Sequence, residues 1–105
     1  MRLMLVDNKE QIVTKMMASR SSLAALGVHR FGLFGSFVKN EQTDASDVDL
    51  LIEFKPGRKS FDNFMDLSFL LEEMFGRKVD IVTPESLSPY IGPKILAEVE
   101  YGLID

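Results

Sequence analysis

Phe34-Gly35-Ser36-Phe37-Val38-Lys39-Asn40-Glu41-Gln42-Thr43-Asp44-Ala45-Ser46-Asp47-Val48-Asp49-Leu50-Leu51-Ile52-Glu53-Phe54 decides the fold. An apolar run stops at a Gly-Ser turn, a polar segment follows, and two aspartates one residue apart open a hydrophobic strand. In an extended chain successive side chains alternate. Asp47, Asp49, Leu51 and Glu53 therefore share one face, and Val48, Leu50, Ile52 and Phe54 share the other. The second face is expected to pack, while the acidic end of the first faces a site.

Two carboxylates side by side at about 4 Å repel by roughly 4 kcal/mol at an effective dielectric near 20. A divalent cation removes that cost. Mg²⁺ takes oxygen ligands, commonly one or two carboxylates completed by substrate phosphates and water. The Gly35-Ser36 turn upstream, with free backbone N–H groups ahead of a helical turn, is suited to phosphate. Read alone, Gly35-Ser36 is a turn with Ser36 as an N-cap, and Asp47 and Asp49 are caps, turn residues or a solvated strand end.

Taken together, Gly35-Ser36, ten intervening residues and Asp47-Val48-Asp49-Leu50 resemble the signature of the polymerase-beta-type nucleotidyltransferase superfamily. Leu33-Phe34-Gly35-Ser36 and the chain length resemble its minimal nucleotidyltransferase (MNT) branch, from about Val28 onward. The resemblance implies that Asp47 and Asp49 hold two Mg²⁺ ions. It also implies a third carboxylate on a neighbouring strand, matched by Asp80, as metal ligand and general base. Gly35, Ser36 and Lys39 would bind the triphosphate of ATP. The family commonly has Arg-Gly where Lys39-Asn40 stand; Lys39 keeps the charge without the planar fork, and Asn40 tolerates a left-handed backbone.

The same resemblance implies a partner, a HEPN ribonuclease toxin, adenylylated on a tyrosine so that the chain serves as its antitoxin. The alternatives are a non-catalytic module that neutralises the toxin by occlusion, and a small-molecule adenylyltransferase that dimerises to complete its pocket. Assembly with itself or with a different chain is compatible with either.

At 105 residues the chain is expected to form a single domain, 1–105, burying roughly 60–70% of its unfolded surface. The net charge is −4, from 16 acidic and 12 basic residues, with no basic face for nucleic acid. The short clusters Lys55, Arg58, Lys59 and Arg77-Lys78 read as solvated charges. There is no cysteine, which fits a reducing compartment. No apolar run nears the ~20 residues of a membrane span, so a soluble cytoplasmic protein is expected.

Around the central stretch the pattern is α+β, a small mixed sheet of about three core strands flanked by helices. Asp7 and Glu10 have capping-box spacing before one helix carrying Ile12, Val13, Met16, Met17, Leu23, Ala24 and Leu26, stopped by Gly27. Residues 28–34 read as the first strand, with His29 at its surface. Ser60 opens a helix with Phe61, Phe64, Met65, Ser68, Leu71, Met74 and Phe75 near one face, closed by Gly76. Val79-Asp80-Ile81-Val82-Thr83 is the third strand; its lone Asp80 is expensive if buried without a partner. Thr83-Pro84 caps a turn, residues 93–101 form a last helix, and Leu103-Ile104 is left as an apolar tail.

Overall fold

The computed structural model describes residues 5–105. Helix α1, Lys9–Ala18, is capped by Asn8, whose side chain accepts from the Gln11 N–H at 2.9 Å, while Gln11 Oε1 accepts from the Asp7 N–H at 2.6 Å. The cap therefore lies one residue beyond the expected Asp7/Glu10 pair. Asn8 caps as well as Asp, and Gln11 replaces Glu as the returning acceptor. The single helix expected to reach Gly27 breaks at Ser19, and α2 spans Arg20–Ala25. Three serines within residues 19–22 compete locally for backbone partners, which favours a break there.

Strand β1, Val28–Phe34, runs as expected into the short helix α3, Ser36–Lys39, and then β2, Val48–Phe54. Helix α4, Phe61–Phe75, has Ser60 as N-cap and Gly76 (φ 67°) as its left-handed C-cap. Its buried stripe is Leu67, Leu71 and Phe75, spaced i, i+4, i+8. Phe61 is not on it and is 78% exposed at the first helical position. Strand β3, Val79–Val82, leads through a 3₁₀ turn at Pro84–Ser86 to helix α5, Gly92–Glu98, and strand β4, Glu100–Leu103.

The sheet order is β3-β2-β1-β4, with β2 and β3 parallel and the other neighbours antiparallel. The mixed sheet of the α+β reading is present, with four strands. The last helix ends at Glu98 rather than 101, because Val99 turns extended (ψ 139°) and feeds the fourth strand. Facing pairs explain how so short a strand docks. Phe31 lies opposite Gly102, and Gly32 lies opposite Tyr101. A Cβ on Gly102 would stand 2.4 Å from the Phe31 ring, and one on Gly32 would stand 2.3 Å from Val99. Large meets small on both faces.

The core lies on one side of the sheet. Phe31 and Leu33 of β1, Val48, Leu50 and Ile52 of β2, and Val79 of β3 pack with Ile12, Met16, Leu23, Leu67, Leu71 and Phe75. Residue alternation in β2 thus matches expectation, except that Leu51 on the acidic face is also buried. Ile104 is not a free tail: it is 2% exposed within that core, with its N–H bonded to the His29 carbonyl. His29 Nδ1 contacts the Asp105 carbonyl at 2.7 Å, which ties it to this chain end and away from the acidic strand ends.

If Ile104 anchors β4, Ile104→Ala leaves a cavity and removes about 2–3 kcal/mol of stability. Urea unfolding should show a lower midpoint with an unchanged slope.

Candidate active site

The strand register brings the acidic face together. Asp49 is the Cα partner of Phe34 on one side and of Asp80 on the other. In a parallel pair such partners point to the same face, with strands about 4.8 Å apart. Asp47 immediately precedes β2 and, two residues from Asp49, shares its side. All three predicted carboxylates are therefore neighbours at one edge, Asp47 and Asp49 half-buried and Asp80 exposed.

Gly35 sits against them. Its backbone (φ 79°, ψ −151°) lies where side chains are strained, and a Cβ there would stand 2.2 Å from Asp49 Oδ2. Only glycine lets the turn press this closely onto the carboxylate. Gly35, not Ser36, is the N-cap of α3; Ser36 is its first residue, and among the described residues its hydroxyl has no hydrogen-bond partner. The expected cap role for Ser36 is thus corrected, and its hydroxyl remains available to a ligand. Asn40 ends α3 in the left-handed conformation (φ 58°), as its residue type allows.

Among the described residues no side chain or backbone group donates to the carboxylates of Asp47, Asp49 or Asp80. The electrostatic result is concentrated on Asp49. Burial pushes its pKa up to about 6, helped by repulsion from Asp80, Asp47 and Glu98. Such a donor set, all hard oxygen and unpaired with protein cations, suits Mg²⁺. Among the described residues no three acidic, histidine or cysteine groups close a metal cage by themselves. The fit is therefore to a cation shared between carboxylates, phosphate oxygens and water, which is how Mg²⁺ is usually held.

Two residues that local sequence did not single out complete the site. Glu98, at the end of α5, accepts from the Gly35 N–H at 3.1 Å and pairs with Lys39 Nζ at 3.4 Å. A cleft of about 230 Å³ opens beside it, lined by Phe34, Gly35, Lys39, Ile91, Lys94 and Ile95. Arg77, read as a solvated charge, is only 8% exposed. Its Nη1 donates to the carbonyls of Thr43 and Ser46 at 2.9 Å and of Asp44 at 3.3 Å, and its Nε donates to the Val6 carbonyl at 2.8 Å. The guanidinium also lies 5.2 Å from the Phe37 ring centroid. One planar cation thus clamps the loop that delivers Asp47.

Residues 15–101 match the nucleotidyltransferase domain family, and the chain belongs to it. Its relatives place it in the minimal branch. A protein of known structure, proposed to be a minimal nucleotidyltransferase, is 32% identical and superposes with a TM-score of 0.76 over 90% of this chain and 95% of that one. The protein adenylyltransferase MntA of Thermococcus cleftensis is 37% identical over 93 residues, 88% of this chain and 93% of its own. A proposed protein adenylyltransferase of Methanocaldococcus jannaschii is 42% identical over 72 residues, 69% of this chain and 76% of its own. A toxin-antitoxin structure with AMP-PNP shares the fold, with a TM-score of 0.65 and 18% identity over 90% of this chain and 72% of that one.

Two predictions follow from the geometry. The raised pKa of Asp49 means that the folded state holds its proton more tightly than the unfolded chain, whose value is near 3.8. Stability then falls as pH rises from about 4 to about 6, and above that Asp49 is a fixed burden. In EDTA, Asp49→Asn should melt higher than wild type at pH 7.5, and the gap should shrink as the pH drops toward 4. Arg77→Met should lose about 2–3 kcal/mol by urea unfolding, with Arg77→Lys recovering less than half because lysine lacks the planar fork.

Proposed function

We propose that this nucleotidyltransferase moves AMP from ATP to a hydroxyl of a partner protein. The observation that carries the reading is the convergence of Asp49 with Asp80 in strand register beneath the Gly35 turn, without protein donors to neutralise them. The relatives named as protein adenylyltransferases, aligned over most of both chains, support a protein acceptor. The toxin-antitoxin structures with the same fold support a toxin as that partner, and the resemblance of the Gly35-Ser36 and Asp47/Asp49 motif implies one of HEPN type with a tyrosine acceptor. The chain would then be its antitoxin, acting in the cytoplasm as a single domain whose acceptor brings its own binding surface.

In this reading Asp47, Asp49 and Asp80 would hold two Mg²⁺ ions, which supply charge neutralisation on the triphosphate. Gly35 and Ser36 offer N–H and hydroxyl donors to phosphate oxygens, and Lys39 adds a positive charge beside them. Asp80, the most exposed of the three carboxylates, takes the proton of the acceptor hydroxyl as its oxygen attacks the α-phosphorus. The bond from the α-phosphorus to the bridging oxygen breaks, and pyrophosphate leaves with the electron pair. Catalysis comes chiefly from holding the reacting atoms in line and from compensating charge.

The test is intact-mass analysis of the protein encoded beside this chain after incubation with it, Mg²⁺ and ATP. A gain of one or more AMP units is expected with wild type. Asp47→Asn and Asp49→Asn should lower the rate by about 10³-fold or more while circular dichroism stays unchanged. Tight binding of the partner with no gain in mass would instead establish neutralisation by occlusion.

A further inference from the structure

Glu98 stands where an anionic ligand is wanted. One carboxylate oxygen takes the N–H of Gly35, and the other pairs with Lys39. These are two of the groups assigned to the triphosphate. Its negative charge also adds to the repulsion on Asp49, as a bound phosphate would. The Glu98 side chain is 22% exposed and that of Lys39 47%, so the carboxylate end of the contact is partly desolvated while the lysine end meets water.

The placement has a structural cause. Glu98 is the last residue of α5, and β4 begins two residues later, held to β1 through Gly32↔Tyr101 and Leu33↔Glu100. With its backbone anchored on both sides, Glu98 can leave the turn only by side-chain rotation. The cleft beside it gives that rotation room, and Lys94 there offers an alternative cation.

We propose that Glu98 is an internal anion that occupies the phosphate cradle of the nucleotide-free protein, competes with polyphosphate for Gly35 and Lys39, and returns to them as pyrophosphate departs. This rests on the reading of Gly35 and Lys39 as phosphate ligands. Glu98 then weakens affinity for the donor and speeds clearance of the product. Any ligand that places a phosphate in the cradle must first displace it, so the penalty falls on every such ligand alike and on none that lacks phosphate.

The experiment is calorimetric titration of wild type, Glu98→Gln and Lys39→Met with Mg²⁺-pyrophosphate, Mg²⁺-ATP and adenosine, each variant first checked for fold by circular dichroism. Glu98→Gln keeps shape and removes charge. It should bind both phosphate ligands about five- to tenfold tighter, the effect of losing roughly 1–1.4 kcal/mol of competing interaction, and adenosine no differently. Lys39→Met should weaken both phosphate ligands, and adding Glu98→Gln to it should gain less than in wild type. If Glu98→Gln does not fold, Glu98→Asp, which draws the charge back from Gly35, carries the same expectation. Unchanged or weaker phosphate binding in the Glu98 variant, with wild type binding normally, overturns the role of Glu98 alone. No phosphate binding by any of the proteins overturns the nucleotidyl-transfer reading together with it.

Discussion

The register of β2 between its two neighbours is the constraint on which the rest depends. Asp49 is at once the partner of Phe34, one residue before the Gly35 turn, and of Asp80 on β3. A slip of one residue would turn every side chain of β2 to the opposite face, burying Asp49 and exposing Leu50. The core therefore enforces the site. Val48, Leu50 and Ile52, all fully buried, allow only one alignment, and that alignment sets a carboxylate beneath a backbone turn that only glycine can make.

The site is built at a cost in local electrostatics, which other parts of the fold offset. Three carboxylates stand there without donors, and at Asp49 burial, reinforced by repulsion from its acidic neighbours, pushes the pKa up to about 6. Arg77 does not neutralise them; its donors are turned to the carbonyls of Val6 and of the loop before Asp47. It holds the geometry and leaves the charge of the carboxylates uncompensated. The two requirements, rigid position and unmet charge, fall to different residues. That division lets a chain of this size keep a charged site beside a packed core.

The C-terminal part of the chain has a similar double role. β4 closes the sheet edge beside β1, and Ile104 fills the core. The same docking fixes the end of α5 next to the Gly35 turn and so presents Glu98 to it. On the sheet face of the site, Arg30 pairs with Glu53 at 2.7 Å and lies over Tyr101 at 3.9 Å, joining β1, β2 and β4. No helix among the described residues is long and apolar enough to cross a membrane.

Sequence by itself determined the parts whose causes are local. Alternation in residues 48–54, glycine at turns needing positive φ, Ser60 as a cap, and the Gly35-Ser36 and Asp47/Asp49 spacing were all legible. Each is set by neighbours a few residues away. Even there the N-terminal cap fell one residue off, because Asp7 and Asn8 compete as equals for one role. The tertiary structure alone decided β4, Arg77 and Glu98. Residues 100–103 carry too few side chains to show a period, and their docking depends on small-against-large fits with β1. Arg77 and Glu98 look like surface charges because their partners lie far away in sequence, 31 to 34 residues for the loop and 63 for Gly35. A charge reads as solvated until the chain folds back over it.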